Sequence, residues 1–227
     1  MQAEFNNYTN FLFDFDGTIC DTSPGIFASM QKVCEHYKLS YKEDTFVKMI
    51  GPSLKESFST IFHLPENEIT NAIKVYRDFY SVEGMYMCEP YDGVPELLAK
   101  LHDAGKKIFV ATSKPEHFTK KIIERKGLTH FFDFIGGADV EEKNRTSKID
   151  VINYVLKENK ITDLDKTIMI GDRFYDINGA HKAGLKAIGI LWGFGSRTEF
   201  EQCGADFIFE TPQELLKNFN QHRAKKP

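Results

Sequence analysis

Apolar residues recur at helical spacing through the first part of the chain. Between about residues 20 and 88 they return every three or four positions, as in Ile26–Tyr37 and Ile69–Tyr80, which is typical of helices with one buried face. Gly51 and Pro52 interrupt this pattern without introducing an alternation of apolar and polar residues. The sequence therefore predicts a mostly helical segment here and no convincing strand.

From Tyr91 onward the pattern changes to short apolar runs that are separated by helical segments. The runs predict strands at residues 106–113, 132–137, 166–172, 186–191 and 206–210. Three of the intervening helices end at a glycine, namely Gly105, Gly127 and Gly184. Because alternating strands and helices build parallel sheets, the sequence predicts an α/β fold with a doubly wound parallel sheet.

An earlier apolar run, Phe11–Phe13 with Phe15, leads into Asp14 and Asp16 and then into Gly17. In a strand, residues two apart lie on the same side, and two carboxylates about 4 Å apart repel by roughly 4 kcal/mol at an effective dielectric near 20. A cation or a shared proton would relieve this repulsion. A surface Asp-Gly turn is the alternative, but the apolar neighbours favour a central strand.

Polar residues also follow two later strands, and one lysine opens a helix between those strands. They are Thr112 with Ser113, then Asp172 with Asp176, and Lys148. Taken singly, the hydroxyls could cap a helix, Asp172 could cap a turn, and Lys148 could be a solvated side chain. In doubly wound sheets, however, ligands bind beyond the carboxyl ends of the strands, so we expect all of these residues at one crevice.

Converging carboxylates with a lysine and two hydroxyls form a set that suits phosphate chemistry. Mg²⁺ is the cation that fits best, because it is typically bound by one or two carboxylates, waters and substrate phosphate. Lys148, Thr112 and Ser113 would contact the phosphoryl oxygens, and one of the acids could attack phosphorus directly. The sequence contains no GxxxxGK[ST] motif, so a nucleotide-triphosphatase loop is not expected.

These residues resemble the four motifs of the haloacid dehalogenase superfamily of phosphatases, in order and over the whole chain. The matching positions are DFDGT at 14–18, Thr112, Lys148 and GDRFYD at 171–176. The resemblance implies a Rossmann-like core in which Asp14 forms an aspartyl-phosphate and Asp16 first protonates the leaving alcohol and then activates water. It also implies that Asp14, the backbone carbonyl of Asp16, and Asp172 hold Mg²⁺.

The resemblance assigns three further residues. Asp176 would contact the metal or one of its ligands, and Thr112 would bind the phosphoryl group. Lys148 would offset the negative charge on Asp14 and on the phosphate. The dehalogenase branch lacks the second acid of the first motif, so Asp16 favours a phosphatase.

The helical segment resembles the α-helical cap of the same superfamily. The implied organisation is a core domain of residues 1–20 and 90–227 with an inserted cap of residues 21–89, and the cap would select the substrate. Its Gly51–Lys55 segment resembles phosphoglycolate-phosphatase-like members, so Lys55 could contact a second anionic group of the substrate, although a solvent-facing lysine is equally expected. Departures at Phe174 and Tyr175 leave the substrate open.

We therefore predict a Mg²⁺-dependent phosphomonoester hydrolase, phosphoglycolate phosphatase-like, that acts on a small metabolite. The alternatives within the superfamily are a 5′-nucleotidase, a nucleotide pyrophosphatase or, less favoured, a phosphosugar mutase. The alternative hypothesis that does not involve an enzyme is a phosphate-binding protein without catalytic activity. It would be favoured by the loss of a motif residue, and none is lost.

The composition of the chain restricts which binding partners and which cellular location we expect. The net charge is -4 and the basic residues are scattered apart from the terminal HRAKKP, which gives no reason to expect nucleic acid or a membrane surface as partner. No signal-peptide pattern is present, and the four cysteines are far apart without a CxxC pair. These features predict reduced thiols and a cytoplasmic protein, and a monomer or homodimer is expected.

Overall fold

The structure is a computed structural model that describes residues 5–41, 43–139 and 144–220. The chain divides into two compact units. One contains Met1–Ile19 together with Pro90–Pro227, and the other contains Cys20–Glu89. We call the first the core unit and the second the helical unit.

The elements are numbered in chain order. The strands are β1 (Asn10–Phe13), β2 (Cys20–Asp21), β3 (Glu89–Pro90), β4 (Lys107–Pro115), β5 (Phe134–Ala138), β6 (Thr167–Gly171), β7 (Lys186–Ile190) and β8 (Phe207–Phe209). The α-helices are α1 (Ser23–Tyr37), α2 (Glu43–Val47), α3 (Leu54–Thr60), α4 (Glu66–Tyr80), α5 (Val94–Asp103), α6 (Glu116–Arg125), α7 (Lys148–Glu158), α8 (Phe174–Lys182), α9 (Arg197–Gln202) and α10 (Pro212–Asn220).

The core unit is built on a six-stranded sheet in the order β5-β4-β1-β6-β7-β8. Every pairing within it is parallel, which confirms the predicted α/β fold with a doubly wound sheet. The strand β1 lies in the middle, where Phe13 is in register with Val110 on one side and Ile170 on the other. Its apolar residues are fully buried, as expected for a central strand of a parallel sheet.

Helices α7 and α8 pack against this sheet and close the core. Leu12, Phe109 and Met169 from three strands contact Val151 of α7 and Ile177 of α8 in one buried cluster. The helix-terminating role predicted for three glycines is confirmed, because each adopts a positive φ between +71° and +78° that glycine enters without steric cost. These are Gly105, Gly127 and Gly184.

The helical unit contains α1 to α4, and its core lies mainly between α1 and α4. Met30 and Val33 of α1 and Ala72 of α4 are fully buried. Tyr76 and Tyr80 stack with 5.3 Å between ring centroids. The expectation of no strand between residues 20 and 88 is wrong at its first two residues, because Cys20–Asp21 pairs with Glu89–Pro90 as a two-stranded sheet.

The structure differs from the sequence prediction in the end of the first strand and in one additional helix. The strand predicted from Phe11 ends at Phe13, so Asp14 and Asp16 lie in the turn that follows the strand. Helix α9 was not predicted from the sequence. The cysteines are free, and within the described residues no helix is both long and apolar enough to cross a membrane.

Candidate active site

The carboxyl ends of three neighbouring strands bring most of the predicted site residues together within the core unit. Asp14 follows β1, Thr112 lies near the end of β4, and Asp172 follows β6. Because the strand order is β4-β1-β6, these ends are adjacent at one edge of the sheet. Lys148 and Asp176 reach the same place from the first turns of α7 and α8.

Lys148 joins two of the acids. Its Nζ lies 2.9 Å from Oδ1 of Asp14 and 2.7 Å from Oδ1 of Asp176, and it donates to the carbonyl of Ala111 at 3.1 Å. Only 5% of its side chain is exposed. Burial disfavours the ammonium, but the carboxylates of Asp14 and Asp176 outweigh burial and raise the pKa of Lys148. The lysine is therefore a fixed positive charge inside the site.

Asp14, Asp172 and Asp176 form a buried carboxylate cluster. One oxygen from each lies within 4.8 Å of the others. Three carboxylates face one ammonium, so the cluster has an excess of negative charge that a divalent cation would neutralise. Hard oxygen ligands are those that Mg²⁺ prefers, and these residues therefore fit such an ion.

The pKa values of two of these acids reflect the same crowding. Burial raises the pKa of Asp172 well above its usual range, and the charges of Asp176 and Asp14 raise it further. Burial raises the pKa of Asp176 to about 7; Lys148 opposes this shift, while Asp14 adds to it. Without a cation, the cluster thus holds protons more tightly than exposed carboxylates do.

A glycine-rich loop after β7 fixes Asp172. The backbone N–H of Phe194 donates to Oδ2 of Asp172 at 2.9 Å, and the hydroxyl of Thr18 is 3.4 Å from Oδ1. The indole Nε1 of Trp192 donates to the carbonyl of Thr18 at 3.0 Å. Gly17, at φ +80°, lies so close to Asp172 that a Cβ there would collide with the carboxylate. The loop and the first turn therefore hold this acid from two sides.

Asp14 is oriented by two contacts that share one oxygen. The N–H of Phe15 donates to Oδ1 of Asp14 at 2.7 Å, and Lys148 approaches the same atom. The other oxygen, Oδ2, is then the one that could attack a phosphorus atom. Thr112 is also buried, and its hydroxyl oxygen accepts from the N–H of Lys114 at 3.2 Å. A hydroxyl that accepts in this way keeps its proton for donation to a phosphoryl oxygen, and Ser113 beside it is half-buried.

The side chain of Asp16 lies outside the carboxylate cluster and pairs with a lysine that the sequence analysis missed. Nζ of Lys114 lies 2.9 Å from Oδ1 and 3.1 Å from Oδ2 of Asp16. The side chain of Lys114 is only 5% exposed. One signal in the sequence could have identified it, namely its place two residues after Thr112 at the same strand end.

Lys55, the residue predicted to contact the substrate, belongs to the helical unit. It lies in α3 with 63% of its side chain exposed, and its Nζ is 2.9 Å from Oε1 of Glu66. Its predicted part in substrate selection stays a prediction.

Similarity to known proteins agrees with this geometry. Residues 11–190 match the family model described as haloacid dehalogenase-like hydrolase. A 5′-nucleotidase of Pseudomonas aeruginosa is 34% identical over 195 residues, covering 85% of this chain and 86% of the relative. A phosphoglycolate phosphatase of Vibrio parahaemolyticus is 25% identical over 214 residues, covering 90% of this chain and 93% of the relative.

Two further similarities complete this comparison. The crystal structure of a predicted phosphatase from Clostridium acetobutylicum superimposes with a TM-score of 0.88 at 39% identity, covering 92% of this chain and 97% of the other. The tyrosine-protein kinase PtkA of Mycobacterium tuberculosis is 33% identical over 206 residues, covering 90% of this chain and 67% of the relative. The relatives therefore carry several names for phosphoryl chemistry, and their names do not select one substrate.

Proposed function

The chain belongs to the haloacid dehalogenase-like hydrolase family and is a phosphatase, and on that basis we propose that it hydrolyses a small phosphomonoester with Mg²⁺ through an aspartyl-phosphate on Asp14. The observation that carries this proposal is the buried Asp14–Lys148–Asp176 contact beside Asp172. A carboxylate in this position, next to a fixed ammonium, suits attack on an anionic phosphoryl group, because the ammonium offsets the repulsion between the two anions.

In the first step, an oxygen of Asp14 attacks phosphorus and the bond from phosphorus to the ester oxygen breaks. Asp16 gives a proton to that ester oxygen, so the substrate leaves as an alcohol. In the second step, Asp16 takes a proton from a water molecule, whose oxygen attacks the same phosphorus. The bond between phosphorus and Asp14 then breaks and inorganic phosphate is released. Asp16 has regained its proton and Asp14 its carboxylate.

The other residues hold the phosphoryl group. Thr112 would donate its hydroxyl proton to one phosphoryl oxygen, with Ser113 beside it, and Lys148 would offset the charge. The metal would be held by Asp14, Asp172 and the backbone carbonyl of Asp16, with Asp176 as a further carboxylate of the same cluster. When bound, Mg²⁺ would neutralise charge on the phosphoryl oxygens.

We further propose that the helical unit acts as a cap, with residues 21–89 selecting the substrate and Lys55 contacting a second anionic group. Exposure of Lys55 and its surface pair with Glu66 are compatible with this role, because an exposed pair of this kind costs little to break. A substrate carrying a carboxylate near its phosphate, such as phosphoglycolate, would suit this arrangement.

The test is a panel of phosphomonoesters assayed for phosphate release with Mg²⁺ and with EDTA. We expect metal-dependent turnover that Asp14→Asn abolishes and that the exposed control Asp103→Asn retains. Turnover that survives EDTA, or full activity in Asp14→Asn, would contradict the proposal. Trapping of a phosphorylated Asp14 peptide by rapid acid quench would test the intermediate independently of the steady-state rates.

A nucleotidase is the second candidate, and its support is the 34% identity to the 5′-nucleotidase. Stacking of a nucleobase on aromatic residues of the helical unit receives little support, because Phe58, Tyr76 and Tyr80 are buried in that unit. Phe62 is half-buried and Tyr41 is exposed, so a contact of this kind would have to involve aromatic residues of that sort. Comparing kcat/KM for phosphoglycolate with kcat/KM for nucleoside monophosphates in the same panel separates the two candidates.

A further inference from the structure

The pair formed by Lys114 and Asp16 is not explained by phosphate binding or by metal binding. Lys114 contacts both oxygens of one carboxylate, and the two side chains are 5% and 19% exposed. Surface pairs are held loosely by solvated side chains, whereas this lysine is withdrawn from water and has its ammonium directed at Asp16. Such a contact restricts rotation of the carboxyl group.

The backbone conformation around Lys114 directs its side chain toward Asp16. Pairing between β4 and β5 shifts register between Thr112 and Pro115, and such irregularities re-aim side chains beside active sites. The N–H of Lys114 donates to the hydroxyl of Thr112 at 3.2 Å. Gly137 of β5 packs so closely that a Cβ there would lie 2.5 Å from the carbonyl oxygen of Lys114. Three local features therefore fix the lysine.

We propose that Lys114 is a positioning residue that orients the carboxyl group of Asp16 for its two proton transfers. This inference rests on the proposed function, because it takes Asp16 as the acid and base of that reaction. It adds a residue that acts on the leaving group and on water through Asp16, with no contact to the substrate required.

Hydrogen-bond chemistry explains how a lysine can do this. An ammonium has three donors and no acceptor, so the O–H of a protonated Asp16 cannot be directed at Lys114. The O–H must then point away from Lys114, and in this arrangement it is presented to the ester oxygen that leaves phosphorus. After that proton has moved, both oxygens of Asp16 are acceptors; Lys114 contacts both of them, and one of the two can accept a proton from water.

The proposal predicts a specific dependence on the leaving group. An alkoxide is a poor leaving group and needs a proton, whereas p-nitrophenolate leaves readily without one. Loss of correct orientation at Asp16 should therefore slow phosphoryl transfer from alkyl esters and leave p-nitrophenyl phosphate almost unaffected. A lysine that merely bound the phosphoryl group would affect both substrates alike.

The experiment compares Lys114→Met with Lys106→Met, which removes a half-buried lysine immediately before the first residue of the same strand. For each variant, kcat/KM is measured with phosphoglycolate, phenyl phosphate and p-nitrophenyl phosphate. We expect Lys114→Met to lower kcat/KM roughly 10²-fold for phosphoglycolate, as for loss of general acid catalysis, and less than about threefold for p-nitrophenyl phosphate. Phenyl phosphate should fall between the two, and Lys106→Met should resemble the wild type throughout.

A double-mutant cycle adds a second readout. In an Asp16→Asn background, Lys114→Met should cause no further loss with phosphoglycolate, because the group that it positions is already gone. Lys114→Gln serves if the methionine variant does not fold; its amide still donates to Asp16, so we expect a smaller loss with the same dependence on the leaving group.

Each contrary outcome has a distinct meaning. An equal loss on all three esters, with weaker inhibition by inorganic phosphate, would show that Lys114 binds the phosphoryl group and would overturn the inference. An equal loss with a lowered melting temperature would show a purely structural pair and would overturn it too. Persistent activity of Asp14→Asn would instead reject the proposed function, and the inference would fall with it.

Discussion

Removing the ammonium of Lys148 is the strongest perturbation of the site that the structure offers. Lys148→Met keeps an unbranched side chain of similar length but leaves Asp14 and Asp176 buried without their shared positive charge. Loss of one partner from a buried ion pair typically costs about 3–5 kcal/mol, because the remaining charge is stranded away from water. We expect the free energy of unfolding of the metal-free core unit to fall by roughly that amount at pH 7.5.

The assay can be confined to the core unit. Trp192 is the only tryptophan and belongs to that unit, so urea unfolding followed by its fluorescence in EDTA reports on the unit that contains the site. Lys166→Met is the matched control, since Lys166 pairs with Asp163 in an exposed setting. The control should leave the urea midpoint unchanged. Adding Asp176→Asn to Lys148→Met should recover part of the lost stability, because it removes one stranded charge.

The pH dependence provides a further check of the same explanation. The pKa of Asp176 is about 7 with Lys148 present, and loss of the lysine should raise it further. At pH 5 this acid can take up a proton, so the difference between Lys148→Met and the wild type should shrink. A difference below about 1 kcal/mol at pH 7.5, or one that is equal at both values of pH, would refute the electrostatic explanation.

Three other predictions follow from the carboxylate cluster. The pKa of Asp176 is raised from 3.8 to about 7, so the folded metal-free protein binds this proton more tightly than the unfolded chain. The stability of the wild type relative to Asp176→Asn should therefore decline as pH rises from 4 to 7. Urea midpoints of the two proteins that differ by the same amount at every pH would contradict this. Asp172→Asn should weaken Mg²⁺ binding at least tenfold in titration calorimetry, and unchanged affinity would exclude Asp172 as a ligand. Gly17→Ala should cost roughly 1–3 kcal/mol, because Gly17 adopts φ +80° against Asp172; an unchanged melting temperature would show that the turn can relax.

The central part of the fold could be predicted because its signals are local and repeated. The six apolar runs that predict strands reflect burial, and the glycines after helices reflect backbone conformation. Each of these signals lies within a single segment of sequence. The common location of Asp14, Thr112 and Asp172 followed from topology alone, since parallel strands place their carboxyl ends at one edge. The structure confirms that sheet, and it brings Lys148 to the same edge.

Other features depend on contacts that the sequence does not display. Lys114 resembles any lone lysine before a proline, and its contact with Asp16 depends on a register shift of β4 against β5 that the sequence does not display. The strand Cys20–Asp21 is too short to produce a periodic pattern and exists through its pairing with Glu89–Pro90. Likewise, α9 has six residues, which is fewer than two helical turns and carries almost no amphipathic signal.

The central place of β1 in the sheet has a consequence for folding during synthesis. The strand occupies residues 10–13, yet its partners begin at Lys107 and Thr167, so its backbone groups stay without their sheet partners while most of the chain is made. All of residues 20–89 emerge before either partner does. Pairing at such separation pays a large loop-closure entropy before it gains any stability. Consequently, the phosphatase site is completed only after Asp172 and Asp176 have left the ribosome, and the onset of phosphatase activity in a stalled-chain series would mark closure of the sheet around β1.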